Sequence, residues 1–198
     1  MKLKRTSVII LALVMMLTLS QAAFAKNTAG VVLGYNNGRF MALGEWTTTT
    51  TSASELLVAA GIVFGGGSSI AIPAEVAWRY DFYRLTLGNT SLGYLAFGAK
   101  VKANAYITFG TGGDAAISAG LGLYGNWFIN PRWSVGTNFT ILNFEIMPVF
   151  HFGVPLSNIT NVTYNISSSL ALKLEFGYNR FRVDKNNYHV GLGAAFTF

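Results

Sequence analysis

The sequence predicts an all-β fold, an antiparallel up-and-down transmembrane β-barrel. Three observations carry that prediction. First, the final stretch Tyr188–Phe198 alternates strictly: Tyr188, Val190, Leu192, Ala194, Phe196 and Phe198 are apolar, while His189, Gly191, Gly193, Ala195 and Thr197 are small or polar. Successive side chains of a strand point to opposite faces, so this segment has one greasy face and one thin, polar one. Its length suits a tilted membrane strand, which needs about 9–11 residues. Second, hydrophobic residues make up 52% of the chain and charged residues only 11%, against about 25% charged in an ordinary soluble domain. Third, beyond the N-terminal leader there is no apolar run of the roughly 20 residues that a membrane helix requires. In lipid the backbone must satisfy its own hydrogen bonds, and only helices and closed barrels do so. A soluble sandwich with an edge strand is the competing fold for the last segment alone.

The N-terminus reads as an export leader. Lys2, Lys4 and Arg5 form a basic start, Val8–Leu19 is apolar, and Ala23-Phe24-Ala25 is a small-x-small cleavage site. Residues 1–25 are therefore expected to be removed, and residues 26–198 to form one barrel domain. Three of the 14 basic residues go with the leader, so half of the positive balance against 8 acidic residues leaves with it. No basic run points to nucleic acid. The absence of cysteine leans against a small disulfide-stapled secreted domain.

The segments follow in order. Thr28–Asn36 is a first strand, and Asn36-Asn37-Gly38 is a tight-turn signal. Arg39–Trp46 is a second strand with poor alternation. Thr47–Ser54, all threonine, serine and alanine, reads as a loop or a frayed strand end. Leu56–Phe64 alternates and is broken by Gly65-Gly66-Gly67. Ile70–Phe82 is the clearest strand of the first half. A turn near Gly88-Asn89-Thr90 leads to Leu95–Ile107, and Gly110–Asp114 turns into Ile117–Trp127. Asn130-Pro131-Arg132 lies between Trp127 and Trp133, a short turn flanked by indoles that favour the headgroup level. Ser134–Ile146 leaves that turn. Met147–Leu156 is interrupted by Pro148 and Pro155. Alternation resumes at Val162–Ile166 and again, after Ser167-Ser168-Ser169, at Leu170–Tyr178. Asn179–Asn187, with Arg180, Arg182, Asp184 and Lys185, reads as a solvated hairpin loop before the final strand. Eight strands are favoured because ten would leave about 17 residues per strand and turn. Ten remain possible if the weak first hairpin is real.

The charges share a face. Glu75, Arg79 and Asp81 lie on one side of one strand, Lys100 and Lys102 on one side of the next, and Lys173 and Glu175 on one side of a later strand. A Lys or Arg facing lipid at mid-depth costs about 2–4 kcal/mol, so these faces point into the lumen. In a narrow barrel both signs would pair as a structural ion network that closes the lumen. The sharper alternative is a narrow path in which Arg79, Lys100 and Lys102 select anions.

Catalysis finds little support. The two histidines are His151, between two phenylalanines, and His189, with no serine close in sequence. No metal-ligand spacing, phosphate-binding loop or dinucleotide fingerprint occurs, and no cofactor is expected. Asn-x-Ser/Thr triplets at Asn89, Asn138, Asn158, Asn161 and Asn165 fit lumen and turn positions as well as glycosylation.

Gly193-x-x-Phe196-x-Phe198 resembles the C-terminal assembly signal of bacterial outer-membrane β-barrels. With the leader and the alternating strands, the chain resembles the small outer-membrane barrel family that includes the OmpA transmembrane domain and the OmpX-like and OmpW-like barrels. The resemblance implies export to the bacterial outer membrane with chaperone escort, insertion by the barrel-assembly machinery, and contact with outer-membrane lipid, most simply as a monomer. It implies no single activity. The expected function is a non-enzymatic structural or surface-interacting barrel with a closed lumen. The alternatives are a narrow channel for small hydrophobic or anionic solutes and, less favoured, a lipid A-modifying enzyme.

Overall fold

In a computed structural model, residues 26–65, 69–88, 93–110, 113–147, 151–153, 157–181 and 187–198 are described. The leader with Ala23 and Ala25, and the charged loop residues Arg182, Asp184 and Lys185, lie outside them.

Eleven strands form one antiparallel sheet: β1 Asn27–Asn36, β2 Arg39–Thr51, β3 Ser54–Phe64, β4 Ile70–Thr86, β5 Tyr94–Phe109, β6 Ala115–Phe128, β7 Trp133–Met147, β8 His151–Gly153, β9 Ser157–Asn165, β10 Leu170–Tyr178 and β11 Tyr188–Thr197. Each long strand pairs with its sequence neighbours, β7 pairs with β9, and β1 pairs with β11, which closes the sheet. Strand β8 is three residues long and only extends the ladder on β7. The wall therefore has ten strands rather than the favoured eight. The extra hairpin is the weakly patterned one. β1 and β2 are in continuous register from Asn36↔Arg39 to Asn27↔Thr48, and β2 runs on through the threonines to Thr51. Thr47–Thr51 is strand because its backbone pairs with β3 and β-branched threonine suits an extended chain, whatever its lack of apolar alternation.

An even wall places residues 27 and 197 on one rim, with the turns at 52–53, 129–132 and 166–169 and the strand ends Thr86 and Tyr94. The opposite rim carries the turn at 37–38 and the strand ends Phe64, Ile70, Phe109, Ala115, Tyr178 and Tyr188. These are called the terminal rim and the loop rim. Asn37 and Gly38, both at positive φ, make the two-residue turn that the Asn-Gly pair favours.

The outer face is apolar. Val31, Leu33, Val101, Leu121, Leu172, Leu192 and Phe196 are all exposed on it. Aromatic pairs mark both edges of this band. Tyr35–Phe40, Phe40–Phe64 and Tyr178–Tyr188 lie at the loop rim. Trp46–Phe198 and Trp133–Tyr164 lie at the terminal rim. Trp127 and Trp133 are both exposed there. Ten residue steps from Tyr188 to Phe198 span about 33 Å of strand, or roughly 24 Å of membrane at a tilt of about 45°.

Two of the wall's irregularities lie on β4. Pro73 has no N–H to donate, and the β3–β4 ladder skips from Ala60↔Ala74 to Val63↔Ala71 around it. A bulge between Asp81 and Tyr83 leaves both Phe82 and Tyr83 exposed. Beyond it, Phe82–Thr86 continues past the β2–β3 turn and pairs with β5.

Candidate functional site: the occluded lumen

The lumen owes its charges to strand parity. Glu75, Ala77, Arg79 and Asp81 face inward from β4, and Lys100, Lys102 and Asn104 face inward from β5. On β6 the residues opposite Lys100 and Lys102 are Gly122 and Gly120, and on β11 those opposite Lys173 and Glu175 are Gly193 and Gly191. Lys100, Lys102, Lys173 and Glu175 thus stand beside glycines, whose own Cβ positions are crowded by backbone and by wall side chains such as Val32 and Thr140.

At mid-barrel the charges form one network around Arg180. Its Nη2 donates to Glu45 Oε1 at 2.8 Å, its Nη1 donates to Glu175 Oε1, and its Nε lies 3.6 Å from Glu75 Oε2. Lys173 bridges Glu45 and Glu175, with both Nζ–Oε distances 2.7 Å. Lys100 Nζ lies 3.4 Å from Glu75 Oε1, and His189 Nε2 is 3.0 Å from Glu175 Oε1. Strands β2, β4 and β10 are cross-linked through one guanidinium, whose planar fork can engage several carboxylates at once, and Lys100 of β5 and His189 of β11 join through those carboxylates. Arg180, Glu75, Glu175, Lys100 and Lys102 are each 1–2% exposed.

Arg180 comes from the β10–β11 loop, which the sequence marks as solvated. That expectation is corrected for its first residues. Asn179 adopts φ 54°, and its backbone N–H donates to the Asn187 carbonyl at 2.7 Å while its side-chain oxygen accepts from the Asn187 N–H at 3.1 Å. This closed base turns the chain inward. The Arg180 carbonyl then accepts from Lys102 Nζ at 3.1 Å and from Asn104 Nδ2 at 3.3 Å. Phe181, 1% exposed, enters an apolar cluster with Val32, Met41, Leu43, Val63, Ala71, Tyr106 and Ala116, inward residues of β1 to β6. From the loop rim downward the lumen is closed by an apolar layer and then by an ionic one.

A separate group lies toward the terminal rim. Arg79 Nη1 donates to Glu55 Oε1 at 2.7 Å, and its guanidinium stands 5.8 Å from the centre of the Tyr124 ring. The Tyr124 hydroxyl donates to Asp81 Oδ1, and Arg84 Nη2 donates to Asp81 Oδ2 at 2.7 Å and to the Ser52 carbonyl at 3.2 Å. Below them opens a vestibule of about 170 Å³, lined among others by Thr49, Glu55, Asp81, Arg84, Tyr94 and Phe128. The lumen is a cul-de-sac, open at the terminal rim and sealed toward the loop rim.

The charges fall into two groups: Glu75, Lys100, Lys102, Lys173 and Glu175 at mid-barrel, Arg79 and Asp81 nearer the terminal rim. Sequence reasoning missed Glu45, Glu55 and Arg180, and did not join His189 to Glu175. Buried at 4% and held on Glu175, His189 faces away from lipid. The side chain of His151 lies outside what is described. Among the described residues no group of His, Asp or Glu is placed to hold a metal.

The geometry defines a closed antiparallel β-barrel of transmembrane type, with its lumen sealed by a buried salt-bridge and hydrogen-bond network. No protein-family model and no curated protein matches the chain. Among solved structures it is similar to the NanC porin (TM-score 0.47, 11% identity, covering 86% of this chain and 100% of that one). It is also similar to Neisserial surface protein A (0.41, 12%, 88% and 96%) and to the N-terminal β-barrel domain of Pseudomonas aeruginosa OprF (0.41, 11%, 87% and 97%). These likenesses are distant, and the functional reading rests on the lumen itself.

Proposed function

We propose that this chain is an integral outer-membrane barrel with no enzymatic role, structural or surface-interacting, whose resting lumen does not conduct. The observation that carries the reading is the Arg180 layer, in which three carboxylates from three strands converge on one guanidinium in the middle of the lumen. The apolar outer band between two aromatic edges supports a membrane setting. The terminal rim is taken to face the periplasm, which suits its short turns. Gly193, Phe196 and Phe198 serve as the assembly signal read by the barrel-assembly machinery, after cleavage behind Ala23 and Ala25. The inserted protein works as a monomer surrounded by outer-membrane lipid.

A lipid A-modifying activity is disfavoured, because the one histidine whose side chain is described points into the lumen rather than toward an acyl chain. The narrow-channel reading has one observation in its favour: the seal is built by two loop residues and not by the wall alone. Planar-bilayer recording of the refolded protein tests the proposal, alongside migration of boiled and unboiled samples on gels. A faster-running unboiled band with a quiet bilayer agrees with it. Steady ion-selective current from the wild type overturns the closed resting state.

A further inference from the structure

We infer that Arg180 and Phe181 form a displaceable plug, and that the same barrel is an ion-conducting pore when they leave the lumen. The inference rests on the closed resting state proposed above and adds that the closure is reversible.

Strand number is the starting point. Eight strands leave an interior that inward side chains just fill, and lumen width grows with each added strand. Ten strands here enclose a wider interior than eight would. The chain fills it with residues from outside the wall. Phe181 fills the apolar layer and Arg180 the ionic one.

The attachments of the plug are of a separable kind. Apart from the closed base at Asn179 and Asn187, the bonds that the wall makes to Arg180 come from side chains: Glu45, Glu75 and Glu175 to the guanidinium, and Lys102 and Asn104 to the carbonyl. No ladder hydrogen bond of the wall has to break for the plug to withdraw. Below the plug, the vestibule reaches inward from the terminal rim as far as Tyr124.

The lining also sets selectivity. With Arg180 withdrawn, Glu45, Glu55, Glu75, Glu145, Glu175 and Asp81 line the interior together with Lys100, Lys102, Lys173, Arg79 and Arg84. The two signs nearly balance, so the open pore passes small anions and cations with little preference, in contrast to the anion selectivity that the lysines alone suggest.

A single introduced thiol tests this in a chain with no cysteine. Refolded full-length mature Phe181→Cys is recorded in a planar bilayer while a charged methanethiosulfonate is added on the loop-rim side. Wild type stays silent or opens briefly and does not respond. Unmodified Phe181→Cys opens more often, and modification holds it open, because a charged adduct cannot re-enter the apolar layer. Lys102→Met keeps Phe181 in place and removes one donor to the Arg180 carbonyl. It raises the open fraction about tenfold, as expected for loss of one charged hydrogen bond from the closed state. A folded, heat-modifiable Phe181→Cys that is modified and stays silent overturns the inference. So does one whose thiol never reacts, or a Lys102→Met variant as quiet as wild type. These failures leave the closed-barrel reading intact, whereas steady wild-type current defeats both. Strong preference for one ion sign in the open state overturns the balanced lining.

Discussion

Lys102 and Arg180, 78 residues apart in the chain, meet in the lumen through a hydrogen bond of 3.1 Å from the lysine ammonium to the arginine carbonyl. Two cationic residues are neighbours here because the contact uses the backbone oxygen of one, while its guanidinium turns to the carboxylates. The wall thereby grips the loop at main chain and side chain together.

Arg180→Ala should destabilise the barrel by about 3–5 kcal/mol, since it leaves buried carboxylates short of their partner. Arg180→Lys should recover only part of this, because a lone ammonium cannot fork between Glu45 and Glu175. Urea titration in detergent micelles, read by the folded band on unboiled gels, gives the ranking. Equal midpoints for wild type and Arg180→Ala would refute a stabilising network.

On the lipid face, Leu172→Lys and Leu192→Lys should each cost about 2–4 kcal/mol if the residue sits near the membrane midplane. Both leucines are exposed on the outer surface. Leu192→Ile should be close to neutral. The yield of heat-modifiable protein after refolding into vesicles reports the difference, and unimpaired lysine variants would place the outer band in water.

Glycine sites should split by what a methyl would meet. At Gly122 an added Cβ runs into the Phe139 carbonyl, a backbone atom that cannot step aside, whereas at Gly44 the nearest atom is the Ala60 carbonyl oxygen at 3.7 Å. Gly122→Ala should therefore lower the unfolding midpoint clearly, and Gly44→Ala should leave it almost unchanged. The reverse order would contradict the β6–β7 packing described.

Near the terminal rim, Tyr124→Phe removes a hydrogen bond to a carboxylate and should cost about 1.5–3 kcal/mol. Arg84→Ala removes a pair whose arginine is 55% exposed, so its effect should stay within about 0–1 kcal/mol. Chemical denaturation of the two variants side by side checks the contrast.

Strand existence was legible wherever apolar alternation ran long, as in Ile70–Phe82 and Tyr188–Phe198, and the same parity put Glu75, Lys100 and Glu175 inside. Strand number was not, because β2 carries Gly44-Glu45-Trp46 followed by five threonines, and pairing with β1 and β3 decides what alternation leaves open. Glu45 was hidden by the same weak pattern. Arg180 was hidden for another reason. A charged residue in a charged, asparagine-flanked stretch reads as solvated, and only the left-handed turn at Asn179 sends it inward. Local sequence does not reveal three carboxylates waiting across the barrel.

The uneven terminal rim also shapes the lipid around the protein. Beyond the bulge, Phe82, Tyr83 and Leu85 carry exposed apolar side chains along β4 past the level of the β2–β3 turn. The hydrophobic belt is therefore taller on the β4–β5 side than beside β2 and β3. A bilayer of uniform thickness can match such a belt only if the barrel axis leans, or if the lipid swells locally along β4–β5, each at a modest cost per Å of mismatch. The protein would then sit in the membrane with a fixed azimuth of lean.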